Sequence, residues 1–184
     1  MNTEKQFHEE VEVPQGVTVS ITEDKVITLK GAKGELVKRL YHPQITLQLK
    51  DNKIIIDTTG KKSRKLRNIV TTYSALFETF FIGVTEGHEY KLKICSGHFP
   101  MNVTLKNNVL EVKNFIGEAV PRRMAIKPGV DVKMDGEFIT VTGLDKELCG
   151  NVSAEIEHLT KRTGFDFRRF QDGIYIIEKA GRSL

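Results

Sequence analysis

Apolar residues alternate with polar ones at Val17, Val19 and Ile21, resume at Val26, Thr28 and Leu29, and return at Ile45, Leu47, Leu49 and through Ile54, Ile55 and Ile56. A period of two puts every second side chain on one face, so these stretches predict short, half-buried strands. Glu23-Asp24 and Asp51-Asn52 fall between them and predict hairpin turns. The period then changes. Leu66, Ile69, Val70, Tyr73, Leu76, Phe77, Phe80 and Phe81 recur at the spacing of one helical face, with Ser63 placed to cap the start and Gly83 the end. Such an aromatic stripe reads as core, not as a ligand site.

The same pattern is written a second time. Val103 and Leu105, then Val109, Leu110 and Val112, then Val130, Val132, Phe138, Ile139 and Val141 repeat the strands, with Asp135-Gly136 as a turn. Gly34-Glu35 aligns with Gly117-Glu118, Gly60 with Gly143 and Asn68 with Asn151 at one constant offset; the length changes fall in turns, where hairpins tolerate them without flipping a strand. Asp145 caps a second helix whose stripe is Leu148, Val152, Ile156 and Leu159, and Gly164 supplies its stop. The expected fold is α+β, with two duplicated domains over residues 1–84 and 85–184, each of small antiparallel sheets packed on one helix.

Composition narrows the class. The chain has 184 residues, 39% hydrophobic and 28% charged, as in globular proteins. Two cysteines, Cys95 and Cys149, are too few for a disulfide framework; Glu4, Lys5, Glu9, Glu10 and Glu12 occupy the start in place of an apolar signal segment; and residues 76–82 are too short and too polar to span a membrane. An intracellular setting with no membrane follows as the expectation. Lys and Arg number 28 against 24 Asp and Glu, a net charge of +4 that leans weakly toward a polyanionic partner.

The placement of the bases says more. Lys61, Lys62, Arg64, Lys65 and Arg67 crowd the start of the first helix, where the helix dipole disfavours cations, so an external anion such as nucleic-acid phosphate would compensate them; a merely solvated charge run is the alternative. Lys161 and Arg162 follow the second helix, where the dipole favours cations. Arg168 and Arg169 lack that explanation and are interleaved with Phe165, Phe167 and Phe170, a mixture that RNA-binding surfaces use, although Phe170 and Tyr175 could equally anchor the loop to the core.

Catalytic and metal signals are weak. Gly31-Ala32-Lys33-Gly34 lacks the phosphate-loop pattern and lies between strands, so it reads as a tight turn. Cys95, His98, Cys149 and His158 are zinc-type ligands at the wrong spacing, and no serine sits in a nucleophile elbow. No catalytic residue, metal, cofactor or small-molecule substrate is expected.

Residues 168–179, Arg-Arg-Phe-Gln-Asp-Gly-Ile-Tyr-Ile-Ile-Glu-Lys, resemble the C-terminal signature of the large-subunit ribosomal protein six family in its archaeal and eukaryotic form. Pro14-Gln15-Gly16-Val17, Gly31-Ala32-Lys33-Gly34-Glu35-Leu36, Gly83-Val84-Thr85-Glu86-Gly87 and Tyr90-Lys91-Leu92-Lys93 extend the likeness over nearly the whole chain. The resemblance implies a structural, non-catalytic protein, cytoplasmic and ribosome-associated. It implies binding to large-subunit rRNA mainly through the second domain, close to the sarcin-ricin loop, with neighbouring ribosomal proteins as partners and translation factors nearby. Carried onto this chain, it makes Lys161, Arg162, Arg168, Arg169, Lys179 and Arg182 the first rRNA-facing candidates and the run from Lys61 to Arg67 the second. Phe165 and Phe167 depart from it, standing where bases are expected. Two other readings remain at this point: a protein-interaction scaffold using exposed sheet edges, and an enzyme using Cys95, His98 and His158.

Overall fold

A computed structural model of the chain describes residues 7–22, 25–59, 63–164, 166 and 168–183. The Glu23-Asp24 turn, Gly60, Lys61, Lys62, Phe165 and Phe167 lie outside the described residues. The chain divides into two compact units, Met1–Gly87 and His88–Leu184.

In the first unit the alternating stretches become antiparallel strands. β2 (Thr18–Ile21), β3 (Val26–Gly31) and β4 (Gly34–Arg39) form one sheet in sequence order. A second sheet has the order β1-β6-β5, where β1 is His8–Glu12, β5 is Ile45–Lys50 and β6 is Lys53–Thr58. β6 lies in the middle, which explains its run of isoleucines: Ile54 and Ile56 are fully buried. The turn between β5 and β6 is Asp51-Asn52, both in the left-handed region (φ 46° and 60°), where short polar side chains are tolerated. The acidic start of the chain is thus a strand over His8–Glu12, whose pattern was too short and too polar to announce it.

α1 (Arg64–Thr85) packs on strands of both sheets. Ser63 caps it, its hydroxyl accepting from the Leu66 N–H at 3.1 Å. The apolar stripe is buried through Leu66, Val70, Tyr73, Phe77, Phe80 and Phe81, with Ile69 and Leu76 half-buried. Phe77 meets Phe80 edge-on at 6.4 Å and Phe81 in a stacked arrangement at 6.5 Å. Full burial of such a ring stabilises by about 1.5–3 kcal/mol, so this stripe dominates the core of the unit.

Gly83 does not end the helix. It is buried within the last turns, and the stop lies at Gly87 (φ 82°), where the N–H groups of Glu86 and Gly87 both donate to the Ile82 carbonyl at 2.8 and 3.0 Å. The units accordingly part after Gly87, a little beyond the boundary expected between residues 84 and 85. The Val84 carbonyl accepts from the Lys33 N–H at 2.9 Å, tying the helix end to the tight turn after β3. That tie requires Gly31, because a Cβ there would stand 2.5 Å from the Val84 oxygen.

The second unit repeats the plan. β8 (Asn102–Lys106), β9 (Val109–Lys113) and β10 (Arg122–Ala125) match β2-β3-β4; β11 (Val130–Asp135) and β12 (Phe138–Gly143) match β5 and β6; and β7 (His88–Cys95) pairs with β12 as β1 pairs with β6. β13 (Gly173–Lys179) and β14 (Arg182–Ser183) complete a five-stranded sheet in the order β11-β12-β7-β13-β14. α2 (Lys146–Leu159) is capped by Asp145, which accepts from the Glu147 N–H at 3.0 Å, and it buries Cys149, Val152 and Ile156 against Leu92, Ile139 and Leu110. It ends at Leu159 with Thr160 as its cap, so Gly164 (φ 83°) belongs to the following loop. Among the described residues no helix is long and apolar enough to cross a membrane.

Two outcomes follow. Gly31→Ala should destabilise the first unit by about 1–3 kcal/mol in denaturant unfolding, because the clash is with backbone. The His8 ring lies against the carboxylates of buried Asp57 (Nδ1, 2.9 Å) and Glu10 (Nε2, 3.1 Å), which accept from its N–H groups, and these hydrogen bonds, Asp57 first, raise its pKa above the ordinary 6.5. A raised folded-state pKa gives a contribution that is complete below 6.5 and is lost as pH rises through the folded value. An NMR titration of His8 should therefore give a midpoint above 6.5, and His8→Gln should flatten the fall of stability across that window.

Candidate nucleic-acid interface

The loop carrying Arg168 and Arg169 begins where α2 stops, and the stop is held from three sides. Arg122 donates to the Leu159 carbonyl at 2.7 Å, grips Glu118 through Nε and Nη2 at 2.8 and 2.7 Å, and lies 4.5 Å over the Phe115 ring. A guanidinium at a helix C-terminus meets both the free carbonyls and the negative dipole end, so Arg122 is a structural residue. The Thr160 hydroxyl donates to the Glu157 carbonyl at 3.2 Å and accepts from the Ile174 N–H at 2.8 Å. The Glu157 carboxylate accepts from the Ile176 N–H at 3.1 Å. These side chains satisfy N–H groups along the edge of β13 that its pairing with β7 leaves open.

The far end of the loop is pinned by Asp172. Its side chain is only 2% exposed, and one carboxylate oxygen accepts from the Gly97 and His98 N–H groups at 2.7 and 2.9 Å while the other faces His98 Nδ1 at 2.8 Å. Burial pushes the Asp172 pKa up, but the bonds from the His98 N–H, the His98 ring and the Gly97 and Phe99 N–H groups outweigh it and leave the pKa below its ordinary value. The His98 ring in turn sits 5.0 Å from Phe170.

Between these anchors the bases face solvent. Asp166 orders the turn, accepting from the Arg168, Arg169 and Phe170 N–H groups through its side chain or carbonyl. The Arg168 side chain is 91% exposed and folds back onto Asp166 at 3.1 Å, a contact open to exchange because an exposed pair of this kind is worth little. Arg169 and Lys161 are exposed and make no side-chain hydrogen bond or ion pair among the described residues. Arg162 is half-buried and lies close enough to Glu118 to lower that carboxyl's pKa, after the larger effect of Arg122. Lys179 and Arg182 face each other across the β13–β14 hairpin, whose turn is Ala180-Gly181 (φ 47° and 80°), and both are exposed.

The second basic group lies in the first unit. Arg64, Lys65 and Arg67 are exposed on the first turns of α1, which carries no acidic residue there. Lys61 and Lys62, from the same run, are outside the described residues.

The metal-type residues do not converge. Cys149 is fully buried beneath Gly143, and burial, with the nearby Asp145 charge, pushes its thiol up to about 11. His98 serves Asp172, and among the described residues no group of three His, Cys, Asp or Glu side chains could hold a metal ion. Sequence patterning missed the Asp172–His98 link because its partners are 74 residues apart.

Comparison with known proteins agrees with the duplication. The family model described as ribosomal protein L6 matches residues 13–87 and again 99–173. The large ribosomal subunit protein uL6 of Methanococcus vannielii is 42% identical over 178 residues, covering 97% of each chain. Its counterpart from Methanosarcina mazei is 38% identical over 176 residues, 96% of this chain and 99% of the relative. Two matched repeats, set on the two structural units, and full-length identity at this level show that the chain belongs to the ribosomal protein L6 family.

Proposed function

We propose that this chain is a structural, non-catalytic component of the large ribosomal subunit that binds large-subunit rRNA. Lys161, Arg162, Arg168, Arg169, Lys179 and Arg182 of the second unit make the main contacts, and the run at residues 61–67 of the first unit makes secondary ones. The names of the relatives support the ribosomal role. The observation that carries the RNA reading is the state of the bases: Arg169, Lys161, Lys179 and Arg182 are exposed without an acidic side-chain partner among the described residues, on a loop and hairpin whose roots are fixed by Arg122, Thr160 and Asp172. Phosphates supply the missing counter-charge, and a fixed loop loses little entropy on binding.

In this reading the site lies near the sarcin-ricin loop and the region where translation factors dock, which the resemblance of residues 168–179 to the family signature supports. Neighbouring ribosomal proteins are the further partners, the setting is the cytoplasm, and no cofactor or small-molecule substrate enters.

Co-sedimentation with ribosomal subunits tests this reading. The wild-type chain should track the large subunit, Arg168→Ala/Arg169→Ala should lose it most, and Arg64→Ala/Lys65→Ala/Arg67→Ala should lose less. With an rRNA transcript, the first variant should also lower the log–log salt slope of affinity by about 1–2, one unit for each phosphate contact removed. A wild-type chain that stays free of subunits would sink the proposal.

A further inference from the structure

The β7–β8 loop exposes two aromatic rings, His98 and Phe99, and the Asp172 and Phe170 contacts of His98 join this loop to the basic one. Phe77, Phe80, Phe81 and Phe115 are buried, whereas Phe99 is 42% exposed and the His98 side chain 44%. Both rings are nevertheless held firmly. Asp172 fixes the backbone at Gly97 and His98 and takes up His98 Nδ1, and the His98 ring, its side chain 44% exposed, sits 5.0 Å from Phe170. The far side of the loop is tied down by Asn114, whose amide donates to the Pro100 carbonyl at 3.1 Å, and Phe99 lies near Gly117, within 3.6 Å of where a Cβ would stand. Phe170, 5.0 Å from His98, is the residue next to Arg169, whose side chain has no hydrogen-bond or ion-pair partner among the described residues.

From these placements the geometry points to a stacking platform for an unpaired RNA nucleotide, in which Phe99 and His98 receive the base and Arg169 meets its phosphate. The inference rests on the RNA-binding role proposed above and deepens it by naming the kind of RNA the site takes. A rigid aromatic face is a sequence-tolerant receptor for an unstacked base, while a base inside a duplex has no free face to offer. Exposed rings beside a base-rich loop therefore select loops, bulges or ends over continuous helix. The buried carboxylate gives the platform its rigidity: a carboxylate removed from water needs its donors, so Gly97 and His98 cannot leave Asp172 without exposing an unsatisfied charge.

The test uses the full chain with two RNA probes of equal length, a hairpin with an unpaired loop and a fully paired duplex, measured over a range of salt. Phe99→Leu keeps an apolar side chain and removes the ring. It should bind the hairpin about tenfold or more weakly, leave duplex affinity unchanged and keep the wild-type salt slope. Arg168→Ala/Arg169→Ala should weaken both probes and reduce the slope. As a readout independent of any variant, the ring resonances of Phe99 and His98 in the wild-type chain should shift on adding hairpin and stay in place on adding duplex. If wild type binds the hairpin but Phe99→Leu binds it equally well, or the ring resonances do not move, the platform is overturned and the rRNA role stands. If wild type binds neither probe in any salt, the rRNA role itself fails and the platform with it.

Discussion

A carboxylate taken out of water has to be met by hydrogen-bond donors, and the donors that meet Asp172 belong to a loop more than seventy residues earlier in the chain. That one constraint joins the β7–β8 turn to the start of β13 and fixes one end of the basic loop. Arg122 and Thr160 fix the other end by satisfying the carbonyls and N–H groups that α2 and β13 leave open. The bases between these anchors are presented on a frame and do not trail from it. On the rRNA-binding reading proposed above, such anchoring lowers the entropy cost of arranging phosphate contacts.

The two matched repeats follow one α+β plan. Each unit has a three-stranded sheet, a helix and a second sheet in which one strand joins two neighbours, β6 between β1 and β5 in one and β12 between β7 and β11 in the other. The matched repeats end at residues 87 and 173, where β7 and β13 begin, and those two strands pair with one another in the five-stranded sheet. The loop at residues 161–172 is what the chain inserts between α2 and β13. In the first unit the corresponding stretch is helix, since α1 runs for 22 residues to Thr85 where α2 stops after 14 at Leu159.

Much of this was legible in the residues because the governing effects are local. Helical spacing from Leu66 to Phe81, the Ser63 and Asp145 caps, and the left-handed pair Asp51-Asn52 follow from neighbours in sequence. The helix ends were misread at Gly83 and Gly164 because a glycine signals permission for a turn, and packing decides which glycine is used. Gly83 is buried in the helix, and Gly87 stops it. β1 escaped notice because a short strand of mostly acidic residues becomes a strand only through its pairing with β6. The Asp172–His98 link and the cap by Arg122 escaped for the same reason: each is a contact between distant segments, and Arg122 in sequence looked like any other surface base. Family likeness supplied what locality could not, by marking residues 168–179 as a unit.

The central claim is that the second unit's anchored loop, its hairpin and the neighbouring β7–β8 turn form the RNA-facing side of a large-subunit protein. Ultraviolet crosslinking of the chain within intact large subunits, with the modified peptides located by mass spectrometry, tests it most directly. Nucleotide adducts concentrated at residues 96–99 and 161–182, with fewer at 61–67, are the predicted result; adducts confined to other surfaces, or none in either region, would contradict it.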